Sequence, residues 1–218
     1  MLTPRMKAVA EFLGKNDTVA DIGCDHGKLS VYLIKNELAK KVYATDISLS
    51  SLNKAKILKE TENIKNIELC LGDGFDAFDI LPDAAVIAGM GGEVIKHIIS
   101  HKNARTKLVL QPMKDSDTVY KTLVEKGFLI KEVKIIAEGG RFYEIILAEP
   151  GNNNVFDYSL PPMDKLLKDQ CAYEFLLHKI KVLEKALVGA QKSKSQRYNE
   201  IKDIIENIKG VIYNAYGK

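Results

Sequence analysis

Cysteine is scarce in this chain, and the cysteines that are present form no pattern. There are three among 218 residues, at positions 24, 70 and 171. An odd number without the close spacing of zinc ligands argues against a disulfide framework and against a cysteine metal site. Such sparse usage suits a reducing compartment, so we expect a cytoplasmic protein that binds no metal.

Long hydrophobic runs and a strong net charge are also missing. No apolar run approaches the roughly 18 residues of a membrane span, and no signal peptide is visible, so we expect no membrane partner. The 32 basic and 29 acidic residues leave a net charge of +3. Residues 1–150 carry 21 of each sign, and residues 151–218 carry 11 basic against 8 acidic residues. The excess therefore lies in the tail, where it favours weak nucleic-acid binding or simply a solvated helical face.

One glycine-containing stretch, residues 19–27, is the most informative part of the sequence. Residues 18–22 are apolar and partly β-branched, as in a strand buried on both faces, and residues 28–38 have roughly helical apolar spacing. Gly23 and Gly27 lie between them, where the backbone must turn sharply or approach a ligand closely. A strand, a glycine turn and a helix form the first unit of a doubly wound α/β sheet, which binds its ligand at the carboxyl end of the strand.

The acidic residues of this turn indicate which ligand it holds. A dinucleotide site has the spacing G-x-G-x-x-G, whereas Asp21 and Asp25 stand where a pyrophosphate would lie, and like charges repel. Carboxylates suit a cation that carries an amine, such as S-adenosylmethionine with its sulfonium and α-ammonium groups. The stretch resembles motif I of class I methyltransferases, and an ordinary strand–turn–helix without a ligand is the alternative. Cys24 is expected to be a small filler residue.

Two further predicted strands end near acidic residues that could bind adenosine. Residues 41–47 form a strand ending at Asp46, about 20 residues past the glycine turn, where a carboxylate accepts both ribose hydroxyls. Asp46 could instead cap the next helix. After a strand at residues 67–71, Asp73 is placed to bond the adenine amino group and Phe75 to cover the ring. Taken alone, the Gly-Asp-Gly segment at residues 72–74 is only a turn signal.

A row of small residues follows the fourth predicted strand, residues 84–88. In such a sheet this strand end lies over the transferable methyl group, so the acceptor must sit here. Enzymes that methylate an exocyclic amino group generally carry Asn or Asp, two prolines and an aromatic residue at this point, and none is present. Gly91 and Gly92 leave room for a flat base against the backbone. They could alternatively be hinge or helix-start residues.

The rest of the chain predicts the end of the sheet and a helical tail. Residues 107–113 form a strand stopped by Pro112, residues 117–126 a helix, and residues 129–136 and 141–148 a terminal hairpin. An amphipathic helix at residues 1–13 carries Arg5, which is either surface charge or close to a bound phosphate. Beyond composition breaks at residues 150–154 and 161–162, apolar stripes predict helices over residues 166–187 and 201–212, joined by a turn at residues 193–196. The two helices bury each other as an antiparallel hairpin, or they bind a partner or a second copy.

Taken together, these residues resemble the bacterial tRNA (adenine-22-N1)-methyltransferase family over essentially the whole chain. The resemblance rests on the motif at residues 21–27, preceded by Leu-Thr-Pro-Arg-Met at 2–6. It rests also on Ile-Ala-Gly-Met-Gly-Gly at 87–92, Leu-Val-Leu-Gln-Pro at 108–112 and Gly-Arg-Phe-Tyr-Glu at 140–144. It implies an α/β fold: a Rossmann-like class I methyltransferase sheet over residues 1–153 and a C-terminal α-helical coiled-coil hairpin over residues 160–218. Many members carry Glu at the position of Asp46, and many have Asn at that of Met113.

The resemblance implies transfer of a methyl group from S-adenosylmethionine to N1 of adenine 22, in the D-arm region of tRNA. We expect a monomer, with a weak dimer as the alternative. The residues expected at the reacting centre are Asp25, Gly89, Met90 and Gly91. Those expected to bind the cofactor are Asp21, Gly23, Cys24, Asp25, Asp46, Ile47, Asp73, Gly74, Phe75 and Gly89. Those expected to contact the substrate are Arg5, His26, Lys28, Gly92, Gln111, Pro112, Arg141 and Tyr143.

The chemistry of this reaction limits what the protein must supply. Adenine N1 has an in-plane lone pair and no proton, so the enzyme needs no general base and must mainly place N1 in line. Positive charge moves from sulfur to the purine, so a nearby carboxylate, for which Asp25 is the candidate, would stabilise the product. Two other functions stay open: a methyltransferase of this fold acting on another RNA or a small molecule, and a non-catalytic RNA-binding module.

Overall fold

A seven-stranded sheet organises Met1–Pro162, one of the two units into which the computed structural model divides the chain. The structure describes residues 2–101, 104–152, 158, 160–192 and 197–217. The elements of the first unit are, in chain order, α1 (Pro4–Leu13), β1 (Asn16–Ile22), α2 (Lys28–Lys35), β2 (Ala39–Asp46), α3 (Leu49–Thr61), β3 (Ile67–Leu71), a 3-10 turn (Gly74–Ala77), β4 (Ala84–Gly91), α4 (Gly92–His101), β5 (Lys107–Lys114), α5 (Ser116–Glu125), β6 (Phe128–Glu138) and β7 (Arg141–Pro150).

The order of the strands is β3-β2-β1-β4-β5-β7-β6. Strands β1 to β5 pair in parallel, and β7 runs antiparallel to both β5 and β6. The chain reverses its direction of winding between the adjacent strands β1 and β4, and the carboxyl ends of these parallel strands share one edge. A crevice at such a switch point is where doubly wound sheets bind ligands. The predicted doubly wound, Rossmann-like α/β sheet is confirmed.

The central strands are buried on both faces, as their apolar sequences require. Val19 and Ala20 of β1 and the first four residues of β4 are almost fully inaccessible to solvent. Helices cover the two faces, so side chains that alternate in direction are apolar in both directions. Residues that follow these strands are consequently held on a rigid support.

Several predicted boundaries in the first unit differ from the structure, and two of the differences have a clear physical cause. Helix α1 begins at Pro4, not at residue 1, because the Thr3 hydroxyl accepts a hydrogen bond from the Met6 amide and Pro4 needs no partner for its nitrogen. Strand β5 does not stop at Pro112 but continues to Lys114. It continues because pairing with β4 resumes beyond the proline, after a register shift between Ala88 and Met90.

The second unit, Met163–Lys218, consists of helices α6 (Met163–Leu166), α7 (Ala172–Lys192) and α8 (Arg197–Tyr216). The single helix predicted from residue 163 onward is wrong. The chain breaks after α6, where the Asp169 carboxylate accepts a hydrogen bond of 2.8 Å from the Cys171 amide and so turns the backbone before α7. The predicted turn at residues 193–196 lies outside the described residues.

Helices α7 and α8 bury apolar faces against each other. Phe175, Leu176 and Ile180 of α7 and Ile205, Ile208 and Ile212 of α8 are all buried. The rings of Tyr173, near the start of α7, and Tyr216, at the end of α8, are 5.0 Å apart. The two helices are therefore antiparallel, as expected of a C-terminal helical hairpin. Among the described residues, no helix is both long and apolar enough to cross a membrane.

Candidate functional site

A cavity of about 540 Å³ opens at the carboxyl edge of the parallel strands. The N-terminal segment contributes to one part of its wall and α4 to another, through Val94 and Ile98. The residues predicted from the sequence that line it are Arg5, Asp21, Gly23, Cys24, Asp25, His26, Lys28, Asp46, Ile47, Asp73, Gly74, Gly89 and Met90. The predicted residues that do not line it are Phe75, Gly91, Gly92, Gln111, Pro112, Arg141 and Tyr143.

The glycine turn after β1 is required by close packing on both of its sides. Gly23 has φ +72°, and a Cβ atom there would lie 1.9 Å from the terminal methyl of Met90, at the end of β4. Gly27 has φ +68°, and its Cβ would lie 2.9 Å from the Cβ of Ala55 on α3. These glycines let the turn after β1 pack closely against Met90 and against α3, and Gly23 itself lines the cavity.

Asp21 is the most deeply buried acidic residue of the site. One of its oxygens accepts hydrogen bonds from the Ser30 amide at 3.1 Å and from the Ser30 hydroxyl at 2.6 Å, which fixes the start of α2. Burial raises the Asp21 pKa from 3.8 to about 6, although the Ser30 hydrogen bonds act in the opposite direction. Burial also raises the pKa of the neighbouring Cys24 thiol, so Cys24 is a packed residue with little thiolate character.

Asp46 ties the glycine turn to the start of α3. Its Oδ2 accepts a hydrogen bond of 3.1 Å from the Asp25 amide, and its Oδ1 accepts one of 2.8 Å from the Ser48 amide. The helix cap itself is Ser48, whose hydroxyl accepts from the Ser51 amide. A carboxylate has about four acceptor positions, so two remain for ribose hydroxyls. Asp25 turns outward, with its carboxylate 71% exposed and 3.6 Å from Nε2 of His26.

The residues after β3 differ in part from the prediction. Asp73 lines the cavity, and its Oδ2 lies 2.9 Å from Nε2 of His97 on α4, a partner that the sequence did not reveal. Phe75 is only 1% exposed and packs edge-on against Phe78, so its ring does not face the cavity. The prediction that Phe75 covers the adenine ring is not tested by this structure. The apolar side chains available at the cavity are Ile47, Val94 and Ile98.

Two of the four positions that were predicted to lie beside the acceptor, residues 89–92, contribute to the cavity wall. Gly89 has φ +80° and, with Met90, lines the cavity. Gly91 and Gly92 are not part of the cavity lining, and their contact with the base stays a prediction. A Cβ on Gly92 would lie 2.1 Å from the Asp115 carbonyl oxygen, so this glycine serves the packing of α4 against the segment before α5. Gly91 has only the flexible Lys114 side chain nearby.

Arg5, which lines the cavity, is joined by a hydrogen bond to Gln111, which does not line it. Gln111 is fully buried: its Oε1 accepts hydrogen bonds from the Gly89 amide, at 3.2 Å, and from Nη1 of Arg5. The Arg5 guanidinium also lies over the Tyr143 ring, 4.9 Å from its centroid, and 3.5 Å from a Glu138 oxygen. The buried Nε of Arg5 has no hydrogen-bond partner among the described residues, and the contact of Arg5 with the substrate stays a prediction.

His26 and Lys28 of the predicted substrate residues line the cavity, whereas Pro112 and Arg141 do not. Pro112 is buried and its carbonyl accepts a hydrogen bond of 2.7 Å from Gln111 Nε2, while Arg141 is exposed where β7 begins. The Glu144 carboxylate, in the same motif as Arg141, accepts hydrogen bonds from Ser116 and Tyr120 and anchors α5. Among the described residues, no group of three or more histidine, cysteine or acidic side chains could hold a metal ion.

Sequence reasoning missed Ser30, His97 and Glu138, which orient site residues. Each comes from an element other than that of its partner, so nothing in the local pattern pairs them. A hydroxyl such as Ser30 on the buried face of a short helix is the one signal that was available, because a buried polar side chain requires a partner.

The cavity suits the expected S-adenosylmethionine in charge. Four aspartates line it, at positions 21, 25, 46 and 73, and of its basic residues Arg5 is already paired. Such a lining attracts a cationic ligand. The buried hydroxyl of Thr45, which also lines the cavity, has no hydrogen-bond partner among the described residues and could serve the ligand.

Comparisons with known proteins agree with this geometry. A family model described as a methyltransferase domain matches residues 2–146. The chain is 30% identical over 159 residues to the tRNA (adenine(22)-N(1))-methyltransferase of Bacillus subtilis strain 168, and the alignment covers 70% of this chain and 67% of that protein.

Similar solved structures extend the likeness to nearly the whole chain. A Streptococcus pneumoniae protein provisionally assigned as a tRNA (m1A22) methyltransferase, in complex with S-adenosyl-L-methionine, has a TM-score of 0.85 and 27% identity. The match covers 97% of this chain and 100% of that one. A Streptococcus agalactiae protein of the NADB-Rossmann superfamily has a TM-score of 0.88 and 26% identity, with 97% of each chain covered.

Proposed function

This chain belongs to the tRNA (adenine(22)-N(1))-methyltransferase family, and on that premise we propose that it transfers a methyl group from S-adenosylmethionine to N1 of adenine 22 in tRNA. The observation that carries the proposal is the acidic cavity at the switch point of the sheet. It suits a sulfonium compound and would repel the pyrophosphate that many sheets of this architecture bind.

Different cavity residues would bind different parts of the cofactor. Asp46, at the end of β2, would accept hydrogen bonds from the ribose hydroxyls. Asp73 would accept a hydrogen bond from the adenine amino group, beside the apolar side chain of Ile47. Asp21 and the Gly23 backbone would hold the methionine end, where the α-ammonium group meets a buried carboxylate. Hydrogen bonds to a charged acceptor stabilise such a complex by about 1.5–3 kcal/mol each.

Positioning is the main catalytic task of the protein. S-adenosylmethionine supplies an electrophilic methyl group on its sulfonium. Adenine N1 has a lone pair and no proton, so the protein has only to hold N1 in line and exclude competing nucleophiles. Gly89 and Met90 would support the base beside Gly23. The exposed Asp25 carboxylate at the cavity would stabilise the positive charge that develops on the purine.

The substrate must be reorganised before N1 can enter the cavity. N1 lies on the pairing edge of adenine and is hidden in folded tRNA, so the base must be extruded or its local pairing opened. We expect the basic residues of the helical unit to hold the tRNA, because residues 151–218 carry the whole net charge of +3. The exposed Lys181 and Lys185 on α7 are candidates for phosphate contacts.

Partners and location follow from the same proposal. A tRNA-modifying enzyme of a bacterial family works in the cytoplasm, and the proposed reaction requires neither a metal nor a membrane. A single chain contains the complete cavity, so we propose a monomer as the active form. Sedimentation of the protein with and without tRNA would distinguish it from a weak dimer.

The proposal is tested with unmodified tRNA transcripts and S-adenosylmethionine labelled on its methyl group. We expect transfer to a transcript that carries adenine 22, and none to the matched transcript with guanine at that position. Asp25→Asn should slow transfer while the affinity for S-adenosylhomocysteine stays within a few-fold of wild type. Equal labelling of both transcripts would mean a different acceptor, and binding of cofactor product and tRNA without any transfer would favour a non-catalytic RNA-binding protein.

A further inference from the structure

The side-chain amide of Gln111 is wholly enclosed at the end of β5. A buried amide requires hydrogen-bond partners for its oxygen and its nitrogen. Its oxygen accepts from the Gly89 amide and from the Arg5 guanidinium, and its nitrogen donates to the Pro112 carbonyl. The amide is thus occupied within the protein and is not free to read a base.

The hydrogen bond from the Gly89 amide to Gln111 lies at a register shift between β4 and β5. Ala88 pairs with Gln111 and Met90 with Pro112, so Gly89 is an extra residue in the β4 ladder. Its φ of +80° allows the chain to bulge there. Gly89 has no paired residue on β5, and its amide donates instead to the side chain of Gln111. The position of the bulge in turn sets that of Met90, whose terminal methyl lies against Gly23.

Arg5 determines which way the Gln111 amide faces. The Gly89 amide and the Arg5 guanidinium both donate to the Gln111 oxygen. A flipped Gln111 amide would place its NH₂ group against these two donors and would lose both hydrogen bonds. Arg5 is itself restrained by the Tyr143 ring and by Glu138, whose Oε1 also accepts a hydrogen bond of 3.1 Å from the Arg5 backbone amide. Its side chain is only 16% exposed.

We propose that Arg5 and Gln111 are positioning residues for methyl transfer, acting as a chain of contacts from α1 through the buried amide to the Gly89 bulge. They hold the platform on which the acceptor base rests: Gln111 lies outside the cavity lining, and Arg5, which is part of that lining, acts through its hydrogen bond to the Gln111 amide. This inference rests on the proposed function, since the platform matters only if a base is aligned there. Misplacement of a reacting atom by about 1 Å can cost on the order of 100-fold in rate.

The test compares Arg5→Met, Arg5→Lys, Gln111→Met and the Arg5→Met/Gln111→Met double variant with Lys7→Met, which removes an exposed charge from the same helix. For Arg5→Met we expect kcat to fall by about 10- to 100-fold. KM for tRNA and the affinity for S-adenosylhomocysteine should stay within about threefold, because no direct contact is lost. The kcat of Arg5→Lys should be several-fold higher than that of Arg5→Met, since lysine can still donate a hydrogen bond to Gln111. The double variant should be no slower than Gln111→Met alone.

A second measurement does not depend on catalysis. Hydrogen exchange of the Gly89 amide, followed by NMR in the protein without tRNA, should accelerate in Arg5→Met and in Gln111→Met and stay unchanged in Lys7→Met. If wild type fails to methylate tRNA while these exchange rates change as expected, the proposed function is wrong and the chain of contacts stands.

Three results would overturn the inference. One is unchanged Gly89 exchange in folded Arg5 variants. Another is a raised KM for tRNA at constant kcat, which would mean that Arg5 contacts the RNA directly. The third is a loss of kcat in the double variant that equals the product of the losses in the two single variants. If Gln111→Met does not fold, the graded comparison of Arg5→Met with Arg5→Lys decides the matter.

Discussion

Replacing Asp21 by asparagine should remove a pH dependence of stability that the wild-type protein carries between pH 3.8 and about 6. The folded protein keeps the Asp21 proton up to a pKa of about 6, whereas the unfolded chain releases it near 3.8. Folding therefore takes up a proton within this window, and stability falls as pH rises through it. A shift of about 2 pKa units corresponds to about 3 kcal/mol of unfolding free energy.

The assay is denaturant unfolding of wild type and Asp21→Asn across a pH series. Asparagine keeps an oxygen that can accept from Ser30, so the fold is retained, and other carboxylates cancel in the difference between the two proteins. Relative to the variant, wild type should lose stability from about pH 4 to pH 6 and then level off. Asp117→Asn, an exposed carboxyl on α5, should show no such trend. A difference that is flat or rises with pH would refute the burial argument.

Three further predictions concern the cofactor, the packing and the tail. Asp46→Asn should weaken S-adenosylhomocysteine binding by about 10- to 100-fold in calorimetry, from the loss of at least one charged hydrogen bond, while Asp46→Glu should stay closer to wild type; equal affinities would remove Asp46 from the site. Gly92→Ala should lower the unfolding free energy by about 1–3 kcal/mol, and Gly91→Ala by less than about 1 kcal/mol; equal losses in thermal unfolding would contradict the close packing of Gly92 against the Asp115 carbonyl. The Lys181→Ala/Lys185→Ala variant should bind tRNA more weakly and with a salt slope lower by about one per lost phosphate contact, with unchanged S-adenosylhomocysteine affinity; a wild-type slope would exclude both lysines from RNA binding.

Most of the sheet was predictable because its strands carry strong local signals. Strand β1, its glycine turn and the acid at the end of β2 are specified by buried apolar runs and by glycines with positive φ. The break between α6 and α7 was not predictable from apolar spacing, since Leu166 and Leu176 fit one continuous stripe. It depends on one carboxylate, that of Asp169, which competes for the backbone.

The site was less predictable wherever a residue's role depends on a distant partner. Phe75 follows a turn beside the cavity, and only the packing of Phe78 shows that its ring lies in the core. Arg5 was predicted to contact the substrate as a charge near a bound phosphate, and Gln111 as part of the motif at residues 108–112. Their mutual hydrogen bond joins positions that are 106 residues apart, which no local pattern contains.

Whether this protein methylates N1 of adenine 22 is tested most directly by mapping the modified nucleotide. Unmodified tRNA is incubated with the full-length protein and S-adenosylmethionine and cut into defined fragments, whose masses show which one is methylated. The nucleosides of that fragment are then separated by chromatography before and after mild alkali, because 1-methyladenosine and N6-methyladenosine have the same mass. We expect one added methyl group in the fragment that contains adenine 22, as 1-methyladenosine that rearranges to N6-methyladenosine in alkali. A methyl group on another nucleotide, or N6-methyladenosine already present before the alkali treatment, would contradict the proposed reaction.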